Sequence, residues 1–244
     1  NFAGGYEDAT LDNGSQAIDL MDRTAGHTDW QVVKPFVTET SNCILPVSVL
    51  NQMISAFRAG NGGNNSTSGF TDPTNPIPSD GGPLVFACHA AYSLGLDPGQ
   101  FFVGVDTGFD PATAPNHGEG FTKDLSGNKL PNTPPFTLSA GAQYSMPISE
   151  SWAGTLRGDF YWQGNSFARV FNDKPYDQLH GYTNVNLTLI LTNEDGWQAM
   201  AYVKNIFDTT AITGAFLNSD DTALTTNVFT TDPRLFGIRL TKNW

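Results

Sequence analysis

The last strand-like segment of the chain, Arg234-Leu-Phe-Gly-Ile-Arg-Leu-Thr-Lys-Asn-Trp244, alternates to its final residue and ends on an aromatic ring. Phe236, Ile238, Leu240 and Lys242 share one parity. Leu235, Gly237, Arg239, Thr241 and Asn243 share the other. One face is mostly apolar and the other mostly polar or small, the period-two signature of a β-strand. An apolar strand left with an open edge invites pairing with other chains, so soluble domains rarely end this way. A β-barrel closed within a membrane removes the problem. Its last strand pairs with its first, and the aromatic rests at the membrane–water interface.

The rest of residues 132–244 repeats the pattern. Phe136, Leu138, Ala140, Ala142, Tyr144 and Met146 alternate with Thr137, Ser139, Gly141, Gln143 and Ser145, and a short turn follows at Pro147–Ser151. Trp152, Leu156, Phe160 and Trp162 then oppose Thr155, Arg157, Asp159 and Tyr161. After a longer connection, Val170 to His180, Val185, Leu187, Leu189 and Leu191 oppose Asn184, Asn186 and Thr188. Asn193-Glu-Asp-Gly196 is a tight turn with hairpin chemistry. Trp197 opens the next strand, whose parity drifts near Asn205–Asp208 in the manner of a bulge. A second long connection, 217–233, leads to the terminal strand.

Short and long connections therefore alternate, and Trp152, Trp197 and Trp244 mark the short-turn end. These features predict about five antiparallel strands of a large transmembrane β-barrel, all-β in class. Leu138, Tyr144, Leu156, Phe160, Trp162, Leu187, Leu189, Phe236, Ile238 and Leu240 would face lipid. Gln143, Thr155, Arg157, Asp159, Tyr161, Asn184, Asn186 and Arg239 would face the lumen, and the three tryptophans would form an interface girdle. The same alternation fits a secreted or surface-attached β-sandwich carbohydrate-binding module, whose polar parity would face water.

Composition narrows the classes. The chain has 244 residues with 12 bases against 24 acids, a net charge of −12, so the basic footprint of a nucleic-acid binder is missing. No run of 18 apolar residues occurs, which excludes a transmembrane helix but not short alternating strands. Many acids fall in irregular stretches, among them Asp12, Asp19, Asp22, Asp97, Asp106, Asp110, Asp220 and Asp221, and read as solvated loop charge. The chain opens on Asn1 with no signal-peptide pattern, as a processed product or fragment would.

Residues 1–131 are rich in Gly, Asn, Asp, Pro and Thr and read as a long extracellular loop region, with 132–244 as the barrel strands. Within it, Leu45 to Ala59 carries Val49, Met53, Ile54 and Phe57 at helical spacing before Gly60. A second short helix is expected over Phe86–Leu96, and Gly60–Pro83 reads as a mobile linker. The only cysteines, Cys43 and Cys88, predict one disulfide formed in an oxidising compartment.

Three segments carry a resemblance. Asp124-Leu-Ser-Gly-Asn-Lys-Leu-Pro-Asn-Thr-Pro-Pro135, Ala201-Tyr-Val-Lys-Asn-Ile-Phe-Asp208 and Thr231–Trp244 resemble, in order and spacing, the C-terminal barrel region of TonB-dependent outer-membrane receptors. The resemblance covers roughly residues 120–244. It implies a 22-stranded barrel with an N-terminal plug, set in the bacterial outer membrane among lipid and lipopolysaccharide. It also implies uptake of a scarce nutrient such as a metal–siderophore, a vitamin or an oligosaccharide. The missing N-terminal barrel and plug portion would contact a TonB-type energy-coupling protein. The family ends in Phe more often than Trp.

No catalytic motif is present, so no enzyme and no cofactor are expected. His27, His89, His117 and His180 lie far apart and read as loop residues, not a metal site. Asp106-Thr-Gly-Phe-Asp110 could supply oxygens to Ca2+ but reads more simply as a polar turn. Arg157 and Asp159 share a strand face and could pair.

Overall fold

The structure is a computed structural model that describes residues 1–34, 42–59, 84, 87–101, 105–218 and 224–243. Its chain divides into two compact units. One comprises Asn1–Asn13, Ser126–Phe216 and Asn227–Trp244; the other comprises Gly14–Leu125 and Leu217–Thr226.

The first unit is built on an antiparallel sheet. Its strands are β1 (Phe2–Tyr6), β6 (Phe136–Pro147), β7 (Trp152–Gln163), β10 (Tyr182–Asn193), β11 (Trp197–Lys204) and β14 (Leu235–Lys242), adjacent in that order. β6, β7 and β10 are each 12 residues long, a little more than a transmembrane strand needs. Every neighbouring pair is antiparallel. The short turns behave as expected. Gly196 takes a positive φ of 82° that a side chain would oppose, and its amide donates to the Asn193 carbonyl at 3.0 Å.

One strand was not legible. Phe-Ala-Gly-Gly-Tyr, within the expected loop region 1–131, is β1 and pairs with β6 from Phe2↔Ala140 to Tyr6↔Phe136. Its two central glycines hide the alternation. Among the described residues the sheet thus has the five strands expected over 132–244 and β1 besides, and the loop excursion starts after Tyr6. The sheet is not closed: β1 and β14 are its edges.

The long connections also hold more structure than expected. β12 (Ile212–Leu217), just ahead of the stretch 217–233 read as a bare connection, pairs with β13 (Thr226–Thr230) inside that stretch. β8 (Ser166–Phe167) and β9 (Gln178–Leu179) pair across the 164–181 connection. The parity drift at Asn205 is a turn, not a bulge. β11 ends at Lys204, and Asn205 enters the left-handed region at φ 49°.

The second unit has its own core. β3 (Trp30–Val33) pairs with β4 (Cys43–Pro46), and α1 (Val47–Arg58) follows at once. The expected helix start, Leu45 and Pro46, is the end of that strand. Val33, Leu45, Val49, Met53, Ala87 and Ala91 pack into one buried cluster around Cys43 and Cys88. The side chain of Phe57 and the stretch 60–83 lie outside the described residues. The expected second helix is present over the described residues Ala87–Ser93, its His89–Ser93 part wound as a π turn, so His89 sits in helix and not in a loop. β2 (Gln16–Ile18) and β5 (Thr122–Asp124) bring the ends of this unit together. Among the described residues, no helix is long and apolar enough to cross a membrane.

Candidate functional site

The strand register decides which side chains share a face. Leu138 pairs with Trp162, Tyr144 with Leu156, and Val185 with Phe160. Leu189 faces Leu156 on one side and Ala201 on the other; Phe236 faces Val203, Ile238 faces Ala201 and Leu240 faces Ala199. All ten apolar positions singled out from the sequence therefore lie on one face. Among the described residues, no second sheet covers them. Ile238 is 86% exposed, Phe236 75% and Leu240 67%, and Leu156 and Tyr144 are exposed beside them. A sandwich would bury this face against a partner sheet about 10 Å away. The bare face removes the sandwich alternative.

The opposite face carries all eight polar positions singled out from the sequence. Gln143 faces Arg157, Asp159 faces Asn186, Tyr161 faces Asn184, and Arg239 faces Met200. Arg157 grips Asp159 along its own strand. Nε donates to both carboxylate oxygens, at 3.1 and 2.8 Å, and Nη2 to Oδ1 at 2.7 Å. The Tyr161 hydroxyl donates to Gln163 Oε1 at 2.9 Å, and the hydroxyls of Ser145 and Thr155 lie 2.7 Å apart. Arg239 has no ion-pair partner among the described residues. A wall of amides, hydroxyls and a self-neutralised ion pair suits a wet surface, while the other face does not.

Strand direction sorts the connections. β1, β7 and β11 run toward one end of the sheet, and β6, β10 and β14 start there. The connections 7–135, 164–181 and 205–234 all leave from that end. The turns 148–151 and 194–196 lie at the other, with Trp152 opposite Asn193 and Trp197 opposite Lys242. The Lys242 ammonium lies 5.1 Å from the centre of the Trp197 ring. Trp244 lies outside the described residues.

At the long-connection end, one node ties two of the flagged motifs together. Asn205 is 1% exposed. Its amide nitrogen donates to the carbonyls of Thr209 (3.0 Å) and Asp232 (2.9 Å), and its oxygen accepts from Thr209 N (2.9 Å). Its backbone amide donates to Asn186 Oδ1 at 2.9 Å, anchoring the turn to the polar face. Asp208 Oδ1 accepts from Arg234 N at 2.8 Å, while Arg234 Nη1 donates to the Ile206 carbonyl at 3.2 Å. Asn-Ile-Phe-Asp and Asp-Pro-Arg are thus two halves of one clasp. Periodicity could not reveal it; the paired motifs were the available signal.

Two buried carboxylates organise the connections: Asp177, not singled out from the sequence, and Asp97, read there as solvated loop charge. Asp177, fully buried, accepts from Arg169 Nε at 2.6 Å, and the guanidinium also lies over the Phe171 and Tyr176 rings. In the second unit, Asp97 is 7% exposed and accepts from Gly99 N (2.8 Å), Thr107 N (2.7 Å), Thr107 Oγ1 (2.6 Å) and Gly108 N (3.1 Å). Burial pushes its carboxyl up, but these four hydrogen bonds outweigh it and hold the group below the usual carboxylate range.

The cysteines are bonded, Cys43 to Cys88, with Cα atoms 5.7 Å apart. Asp106 and Asp110 each accept from a backbone amide two residues on, at 3.0 Å, as polar turns do. His27 stacks on Phe121 at 3.7 Å. Among the described residues, no three His, Cys, Asp or Glu side chains gather as a metal site would require.

Residues 90–206 match the family model described as TonB dependent receptor-like, beta-barrel. The match, over just under half of the chain, is to the β-barrel of TonB-dependent receptors. That family places it in the bacterial outer membrane. The matched range begins earlier than the motif resemblance and stops before the terminal Asp-Pro-Arg segment. No curated protein matches the chain. The chain is similar to the ferric yersiniabactin uptake receptor FyuA from Yersinia pestis, with 16% identity and a TM-score of 0.41. The similarity covers 48% of this chain and 18% of that one. It is also similar to the outer-membrane ferripyoverdine receptor of Pseudomonas aeruginosa, with 25% identity and a TM-score of 0.35, over 48% of this chain and 15% of that one. The chain thus spans less than a fifth of the length of these receptors.

Proposed function

We propose that this chain supplies the C-terminal wall and a long surface excursion of an active outer-membrane transporter for a scarce nutrient, a metal chelate, vitamin or oligosaccharide. The observation that carries this reading is the two-faced sheet. A 12-residue strand reaches about 40 Å, and at a tilt of about 40° it spans roughly 30 Å, the thickness of a bilayer's hydrocarbon core. The face bearing Leu156, Leu189 and Ile238 would meet lipid. The face bearing Gln143, Arg157, Asp159, Asn186 and Arg239 would line the lumen and meet the plug or the ligand. The connections at the opposite end from Trp152 and Trp197 would be extracellular and take part in ligand capture. Partners on this reading are the remaining barrel strands, the plug, and through it a TonB-type energy-coupling protein.

Growth under limitation tests the function. A strain lacking the gene is compared with its parent on limiting iron chelate, limiting cobalamin, or an oligosaccharide as sole carbon source. One of these defects should appear, be restored by the gene, and be reproduced by loss of energy coupling. Normal growth on all three, or uptake that survives without energy coupling, would overturn the reading.

A further inference from the structure

A cavity of about 580 Å³ opens at the long-connection end of β7 and β10. Its walls include Trp162, Gln178, His180, Tyr182, Thr183 and Thr210. Trp162 and Thr183 are cross-strand partners on the apolar face, while Tyr182 has the polar parity beside Tyr161, so the cavity sits at the strand ends where the two faces meet. Its size falls within the usual range for small-molecule sites.

The cavity is built before any ligand arrives. Gly181 sits so close to the 163–164 backbone that a Cβ there would meet Gln163 O at 2.4 Å, and its amide donates to Asn165 Oδ1 at 2.7 Å. The facing segment is pinned at Thr209 by Asn205. At Ala211 it is pinned through the Thr231 hydroxyl at 3.1 Å and the Thr231 amide at 3.0 Å. Both walls are fixed by groups outside the cavity. The side chains of Gln178, His180 and Thr210 have no hydrogen-bond partner among the described residues. Elsewhere in the sheet, Tyr161, Arg157 and Asp159 satisfy one another or their neighbours.

The donor set selects a ligand class. Among the described residues, no Asp, Glu, Lys or Arg lines the cavity, which disfavours phosphate, carboxylate and amine ligands. What remains is an indole, a phenol, an amide, an imidazole and hydroxyls. An indole offers an apolar plate, and the others offer donors and acceptors at its rim. A sugar ring matches both, with C–H bonds on its face and hydroxyls on its edge.

We propose that this cavity binds a neutral sugar ring, presented either by a glycolipid of the outer leaflet or by a free saccharide. The probes are maltose and dodecyl maltoside, with the intact protein held in a sugar-free amine-oxide detergent. Saturation-transfer NMR reads contact with the sugar ring protons. Saturable transfer to either probe is expected, and preference for dodecyl maltoside would assign the glycolipid source, preference for maltose the free one. Trp162→Ala should cut the transfer at least fivefold. Because Trp162 also helps seat the barrel, the double variant His180→Ala with Thr210→Val serves as the second test, with folding checked by heat-modifiable migration. It should weaken binding about tenfold. Absence of transfer to both probes, transfer unchanged in the folded double variant, or displacement by inorganic phosphate would overturn the proposal.

Discussion

Asn205 does the work of several residues. It is buried, adopts φ 49°, and satisfies backbone groups at 209 and 232 with one amide side chain. Left-handed backbone is tolerated by Asn and Gly and resisted by most others. Asn205→Ala therefore loses three side-chain hydrogen bonds and adds strain. A cost of about 2–4 kcal/mol is expected, read as a shift in the urea midpoint of the folded receptor. Phe207, two residues on and exposed, should tolerate the same change within about 0.5 kcal/mol. Asp97 gives a pH-dependent counterpart. Its folded carboxyl titrates below its unfolded value, so its stabilisation is complete above the ordinary carboxylate range, near pH 4, and is lost as pH falls through the lowered folded value. Thermal melting of the second unit should decline with acidification over that window. Asp97→Asn should lower the melting point at pH 7 and flatten the decline.

Elements differ in how far the sequence exposes them. β6, β7, β10, β11 and β14 were legible because one parity is apolar over eight to twelve residues. β1 was not, because Gly4 and Gly5 leave too few side chains to show a period. β12 and β13 were missed because they stand in a polar connection with no buried face to impose alternation; their strands are exposed or half-buried throughout. Of the candidate site, the two faces were legible by counting, since register preserves parity across antiparallel partners. The Asn205 clasp and the Asp97 knot were not, because hydrogen bonds between distant loops leave no periodic trace. The faces carry a direct prediction. Leu189→Arg should destabilise the barrel in lipid by about 2–4 kcal/mol, and Asn186→Gln on the other face should cost far less. Tryptophan fluorescence during urea titration in bilayers measures both.

Over the whole molecule, two units are stabilised by different means. The sheet relies on ladder hydrogen bonds and on an apolar face that water would penalise. The excursion has a small buried cluster fastened by the Cys43–Cys88 bond, which closes a 45-residue separation. A loop of that length corresponds to about 4 kcal/mol of unfolded-state restriction. Reduction should therefore expose α1 to proteolysis under conditions where the barrel strands stay protected. The most direct test of the central claim is spin-label accessibility in outer-membrane vesicles. Labels are placed at Leu187, Leu189 and Ile238 and, for comparison, at Thr155, Asn186 and Arg239. The account predicts oxygen-dominated relaxation at the first three and relaxation by a water-soluble nickel chelate at the others. Equal accessibility on both faces, or the reverse assignment, would contradict it.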